Sequence, residues 1–277
     1  MTPFLIGMVF LTAGSMLVTF YLAFTNYTVI SAPQFVGTAN FHTLWQDPDF
    51  WQAIRVTFLY VALSVPARLI FALLIALLLN TQITGIGLYR ALIYLPSLIG
   101  GSVGASIGWK NLFGPGGPFD SLQALLGFHQ TYWLGYPLSA LIIVVLLTVW
   151  QFGSEMVIFL AGLKQIPLHL YEAAIVDGAS KFQRFWRITL PMLTPIIFFN
   201  ALMGIVGSFL VFTQVFIITQ GGPGNSTLVY ILYLYQEAFQ YFHMGYAAAM
   251  AIVLLVIVAA ISGLLFLSAK YWVYYEN

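Results

Sequence analysis

The residues that could do chemistry are few, and they are gathered. The chain holds nine Lys and Arg, eight Asp and Glu, and four His in 277 residues. The stretch YEAAIVDGASKFQRFWRITLP, Tyr171 to Pro191, nevertheless carries Glu172, Asp177, Lys181, Arg184 and Arg187. Such groups make ionic hydrogen bonds to another protein or to lipid phosphate. Two polar sets lie inside apolar sequence. Gln151, Ser154 and Glu155 fall at i, i+3, i+4, and Asn200, Gly204 and Ser208 at i, i+4, i+8, spacings that share one helix face. Polar groups at membrane depth are costly and face a cavity or a partner helix. Each set therefore reads either as part of a substrate path or as interhelical hydrogen bonding and close packing. Arg68 and Glu155 read as paired or snorkelling structural charges rather than substrate ligands.

Several chemistries are excluded. Cysteine is absent, which removes disulfides, thiol catalysis and cysteine metal sites. His42, His129, His169 and His243 show no ligand spacing, so no metal is expected. No G-x-x-x-x-G-K-[ST] occurs; GASIGWK at 104–110 lacks both the spacing and the Ser/Thr. The chain is thus expected to bind no cofactor and not to be an enzyme. H-E-x-x-H and paired intramembrane Asp are absent as well, against an intramembrane protease. The net charge of +1 comes without a basic patch, so no nucleic-acid partner is expected.

The elements that must position these residues follow from composition. Hydrophobic residues make up 61% and charged residues 6%, with mean hydropathy +0.94, whereas a soluble domain is about 25% charged. Its solvent is lipid. The chain reads as one all-α transmembrane domain over 1–277. A crossing needs about 20 mostly apolar residues, and six stretches qualify, about 4–27, 54–79, 88–111, 136–162, 192–218 and 244–268. The run from Phe4 to Phe24 lacks a basic n-region and outlasts a signal-peptide core, so it reads as a first span whose cytoplasmic lead-in is either very short or trimmed from this sequence. With the N-terminus inside, Arg90, Lys164, Lys181, Arg184, Arg187 and Lys270 fall on the inner side, and Arg55 and Lys110 on the outer side. That asymmetry places both termini and the Tyr171–Pro191 stretch in the cytoplasm. Trp45, Trp51, Trp109 and Trp133, with Trp272, Tyr274 and Tyr275 opposite, suit aromatic belts. The connector 219–243 has room for a short interfacial helix, and the small-residue run 97–108 reads as a packing surface.

Within 164–191, Pro167 and Pro191 bracket two arms of helical composition, Leu168–Val176 and Ser180–Arg187, since proline suits a helix start but breaks an interior. Gly178 between them permits a sharp reversal. Two readings stand: an amphipathic segment lying on the inner lipid surface, or a docking knob whose small residues Ala173, Ala174 and Ala179 let a groove close over it.

The stretch resembles the EAA loop of bacterial ABC importer permeases, whose pattern is E-A-A, three residues, G, nine residues, I-x-L-P. Glu172-Ala173-Ala174, Gly178, Ile188, Leu190 and Pro191 match at that spacing. The resemblance extends over nearly the whole chain. FVGTANFHTLWQDPDFWQAIRVTFLY, LYRALIYLPSLIGGSVGASIGWKNLF and TQGGPGNSTLVYILYLYQEAFQYFHMGYAAAMA are similar to segments of the carbohydrate permeases of the maltose and glycerol-phosphate type, of the kind that comes first of the two permeases. The 31–52 connector has no room for the large outer domain of the maltose protein. The resemblance implies a multi-pass protein of the bacterial inner membrane with a second, homologous permease subunit and two ATPase subunits that bind ATP and Mg. It also implies an extracytoplasmic solute-binding protein that delivers a sugar. By it, Glu172 offers a carboxylate to a basic group on the ATPase, and Ala173 and Ala174 lie against its cleft. Gly178 sets the turn, Ile188, Leu190 and Pro191 anchor the loop to span five, and Asp177 belongs to the same coupling set. The alternatives are an ABC permease for another polar solute, or an ion-coupled secondary transporter. The latter predicts an internal repeat and intramembrane acids; no repeat is evident, and Glu155 is the one deep acid.

Overall fold

The computed structural model describes residues 7–81, 83–127 and 132–274; His129 and Tyr275 lie outside them. Among the described residues the chain is helical, with an isolated bridge between Thr25 and Phe35 and no strand. The helices are α1 (Met8–Leu22), α2 (Ala39–Gln46), α3 (Pro48–Leu79), α4 (Ile86–Ile99), α5 (Val103–Phe113), α6 (Pro118–Leu125) and α7 (Pro137–Trp150). They continue with α8 (Gly153–Gln165), α9 (Leu168–Val176), α10 (Lys181–Phe209), α11 (Thr213–Ile218), α12 (Tyr230–Tyr235) and α13 (Met244–Trp272).

By length and apolarity, α3, α10 and α13 can each cross a membrane. Two further pairs pass that test only together, α4 with α5–α6 bent by 92°, and α7 with α8 bent by 45°. α1 is apolar but shorter. The uninterrupted spans expected over 88–111, 136–162 and 192–218 are therefore each broken. In the first, Gly100 and Gly101 stop α4, and Ser102 starts α5 by accepting a hydrogen bond from the Ala105 N–H at 3.1 Å. In the second, the Gly153 N–H donates to Ser97 Oγ of α4 at 2.6 Å rather than to its own helix. In the third, α10 stops at Phe209 and α11 resumes at Thr213.

α3 starts six residues before its expected boundary. Asp47 caps it, accepting from the Asp49 N–H at 2.9 Å, with Pro48 at the first helical position. Its 32 residues span about 48 Å at about 1.5 Å each, long enough to serve two cores. The first holds Phe50, Val56 and Tyr60 of α3 with Leu141, Val144 and Leu147 of α7, Val215 of α11 and Met250 of α13. The second holds Ala72, Ala76 and Leu79 of α3 with Met156, Phe159, Leu160 and Leu163 of α8 and Leu193 of α10. The arms on either side of the turn at 176–180 pack on the second core through Leu170, Tyr171 and Ile188, and the turn marks one end of the bundle, the turn end. The chain just after α13 packs back on α10, where the Tyr274 N–H donates to Thr194 Oγ1 at 2.8 Å.

At the opposite, far end, the connector 219–243 does form a helix, but a buried one rather than an interfacial one. The Tyr230 N–H donates to Thr57 Oγ1 of α3, and its hydroxyl to the Met250 carbonyl of α13, both at 2.8 Å. Tyr233 and Tyr246 both donate to Asp47 Oδ2. The aromatic run YILYLY carries enough apolar area to be drawn into the core once its polar groups have partners.

Candidate functional site

The charged stretch folds as α9, a reversal, and the start of α10. Gly178 adopts φ +76, a left-handed conformation that L side chains resist. The Ala179 N–H reaches the Ala174 carbonyl at 2.8 Å and the Gly178 N–H reaches Ile175 at 3.0 Å, the paired bonds of a Schellman stop. Two residues on, Ser180 and Gln183 close a capping box: the Gln183 N–H donates to Ser180 Oγ at 3.3 Å, and the Ser180 N–H to Gln183 Oε1 at 2.8 Å. The sequence S-K-F-Q is a readable signal for that start.

Pro191 does not end the second arm, as its bracketing position had implied. The helix passes through it by widening into a π-helical turn over Phe185–Thr189, with the Leu190 N–H bonded to the Phe185 carbonyl five residues back. A π turn absorbs the lost proline donor without breaking the axis. The turn is thus continuous with α10, and Tyr171 of α9 is tied to Thr189 by a hydroxyl pair at 2.8 Å.

Glu172, Ala173, Asp177 and Gly178 are exposed, whereas Ile188, Leu190 and Pro191 are half-buried. Ile188 packs against the second core. Ala174, Asp177, Gly178 and Ile188 line a concavity of about 360 Å³ between the two arms, with Arg184 and Arg187 on its rim. Among the described residues Glu172 has no hydrogen-bond or ion-pair partner. Val176 is 87% and Phe182 72% exposed, an apolar tip on either side of the reversal.

The deeper polar residues sort differently. Gln151 and Ser208 meet on a cavity of about 270 Å³ between the two cores, together with Tyr60, Arg68, Thr148, Thr213 and Gln214. Ser154 is exposed on another face, Asn200 is buried nearer the turn end, and Gly204 lies where a side chain would meet Val65 of α3 at 3.4 Å. The i, i+4, i+8 stripe is therefore divided between packing and cavity. Arg68 is held by Glu155 at 2.9 Å and by the Gln151 carbonyl at 2.9 Å. Tyr60 and Thr148 share a hydrogen bond of 2.6 Å, and Ser64 approaches Ser208 at 3.5 Å.

The helix breaks converge here. Gly101, Gln151, and Leu210 to Thr213 all line this one cavity. Broken helices leave polar backbone and side-chain groups facing a common space, a recurring way to build a solute site at membrane depth. Sequence reasoning missed Tyr60, Thr148, Thr213 and Gln214. Gly100-Gly101-Ser102, read as a break rather than a packing surface, would have pointed to them. Among the described residues no cluster of His, Asp and Glu could hold a metal.

The comparisons agree with this architecture. The family described as "Binding-protein-dependent transport system inner membrane component" matches residues 48–271. The probable ABC transporter permease protein YesP of Bacillus subtilis (strain 168) is 50% identical over 280 residues, covering 100% of this chain and 91% of its own length. The lactose transport system permease protein LacF of Rhizobium radiobacter is 34% identical, covering 86% of this chain and 82% of its own. The trehalose/maltose transport system permease protein MalF of Thermococcus litoralis (strain ATCC 51850 / DSM 5473 / JCM 8560 / NS-C) is also 34% identical, covering 88% and 82%. A solved bacterial ABC transporter for import of the acidic polysaccharide alginate aligns with TM-score 0.85 at 24% identity, over 97% of this chain and 92% of that one, a likeness of fold. The chain belongs to the binding-protein-dependent transport system inner membrane components, the permeases of ABC importers.

Proposed function

We propose that this chain is one of two permease halves of an ATP-driven importer for a sugar or oligosaccharide. Its turn end faces the cytoplasm, and all six apolar stretches cross the inner membrane. The reading is carried by one observation: among the described residues the Glu172 side chain is exposed and unpaired on α9, beside a reversal closed by its own hydrogen bonds and continuous with α10. A side chain so presented is available to a cation in another protein's cleft, where partial desolvation strengthens the ion pair. The relatives' names support a saccharide as cargo.

In this reading ATP and Mg belong to the ATPase subunits, and this chain contributes binding and motion only. Closure of the two ATPase subunits moves the turns they hold. The π turn and the Tyr171–Thr189 bond pass that displacement into α10, and α8 and the inner half of α3 follow through the second core. The first core is fastened separately, by α12 on α3 and α13. Relative movement falls on the layer between the cores, where Gln151 and Ser208 meet and where hydroxyl and amide groups suit an uncharged stretch of saccharide. A solute-binding protein delivers the sugar at the far end.

The test is Glu172→Lys in the complete complex reconstituted in liposomes. Uptake and substrate-stimulated ATPase activity should fall at least tenfold, while insertion and co-purification of the second permease are kept. Normal uptake in that variant would sink the docking role. Failure of any ATPase to co-purify with the wild-type chain would sink the importer reading.

A further inference from the structure

The far end treats its acids and its cations differently. Asp47 accepts from Tyr233 and Tyr246, and Asp49 accepts from Asn225 at 3.0 Å. Asp120 accepts from the Gly116 N–H at 3.0 Å, and Glu237 pairs with His243 at 2.8 Å. Each carboxylate is engaged inside the chain. Lys110 is not: no carboxylate lies within ion-pair distance of it among the described residues.

Lys110 lines a concavity of about 730 Å³ and is its one charged residue among those described. The wall includes Asn111, Tyr132, Pro118, Ile218 and Thr219 with the 114–117 loop. That is room for two or three sugar rings, since ligand sites commonly span about 300–1,000 Å³. Tyr132 and the proline faces offer apolar walls, and Asn111 and Thr219 offer hydrogen bonds.

The concavity lies in line with the cavity between the cores. α5 and α11 pack together, and both cavities line the same pair. Gly101, Thr213 and Gln214 face the deep cavity, whereas Lys110, Ile218 and Thr219 face the outer one. On α11 Gln214 and Ile218 are four helical residues apart, about 6 Å at about 1.5 Å each, so the two levels are adjacent. A cation in the last turn of α5 also offsets the helix dipole, but that role does not call for an open polar chamber around it.

We propose that this chamber is a vestibule subsite for a carboxylated saccharide, with Lys110 Nζ binding the carboxylate of a uronic acid unit before the sugar moves down to the cavity between the cores. The assignment rests on the importer reading above and names a substrate class for it. Arg68 does not duplicate this task, because Glu155 and the Gln151 carbonyl already hold it.

The chain has no cysteine, which allows a direct test in the assembled complex. Asn111→Cys is labelled with anionic and cationic methanethiosulfonates of equal size, and modification of this chain is followed. The anionic reagent should react about tenfold faster relative to the cationic one, the ratio expected of a unit charge about 5 Å away in water acting with opposite sign on the two reagents. Lys110→Gln in that background should abolish the preference, and Lys110→Arg should restore it. A digalacturonate should protect the cysteine, while the same disaccharide with its carboxylates reduced to alcohols should not. No charge preference, equal protection by both sugars, or protection by neither overturns the subsite. Failure of the importer reading would appear separately, as loss of ATPase co-purification with the labelling pattern intact.

Discussion

The turn at 176–180 and the cavity layer between the cores are both places where helices stop, but they are stopped by different means. At the turn every instruction is local: Gly178 takes the left-handed conformation, Ala174 and Ile175 receive the Schellman bonds, and Ser180 with Gln183 starts the next helix. In the cavity layer the stops are held by residues far apart in sequence. Arg68 of α3 holds Glu155 and the Gln151 carbonyl, Ser97 of α4 takes the Gly153 N–H, and Tyr60 meets Thr148. In the proposed reading the turn docks into another protein, and a turn closed by its own bonds is preorganised for that. A part that must open between two cores can instead be held by contacts that change together.

The contrast predicts large stability effects in the layer and small ones at the turn. The largest belongs to Arg68→Ala. It would leave Glu155 buried without its partner, with Oε2 already unsatisfied, and breaking such a pair costs about 3–5 kcal/mol. The purified complex should show a much lower thermal midpoint, and replacing both Arg68 and Glu155 by Met should recover most of it. An unchanged midpoint in the single variant would mean that the pair does not hold the layer.

Next in size is Gly100→Ala. A methyl group there would sit 2.2 Å from Gln151 Cγ and 2.8 Å from the Pro96 carbonyl, an overpacking worth about 1–3 kcal/mol. Gln151→Ala in the same chain should relieve the share owed to the side chain, so a double-mutant cycle should return a coupling of at least about 0.5 kcal/mol. Additive effects would separate the α4–α5 break from the α7–α8 break and weaken the idea of a single layer.

This difference also explains what could be read in advance. The all-α membrane class was legible because composition is local, and the reversal at Gly178 because its glycine sits between two arms of helical composition. Ser180-x-x-Gln183 was equally local, though its role emerged only with the geometry. The cavity was not legible, because Tyr60, Thr148 and Gln214 carry no shared spacing and meet only when three broken helices meet. The stripe Asn200, Gly204, Ser208 misled for the same reason. A helix face identifies neighbours along one axis, but it does not tell which neighbour is another helix and which is empty space. α12 escaped as an interfacial helix because burial of Tyr230 depends on Thr57, 173 residues away.

The smallest effects are those of the turn itself. Gly178→Ala meets no atom within 4 Å at its new methyl group, so only the left-handed conformation resists it, at about 1–2 kcal/mol. Ser180→Ala removes one cap at about 1 kcal/mol, and Ser180→Gly should cost only a few tenths. None of these should move the thermal midpoint of the complex much, since residues 176–180 contribute no side chain to either core. Hydrogen exchange should show faster opening confined to 174–183. ATPase stimulation should fall most in Gly178→Ala, less in Ser180→Ala and least in Ser180→Gly. A loss of coupling that follows local opening, at nearly constant global stability, would mean that rigidity of the reversal is what transmits force. If coupling stayed intact while 174–183 opened freely, the ATPase cleft itself would be ordering the turn, and the contrast between a self-sufficient turn and a mutually held layer would fail.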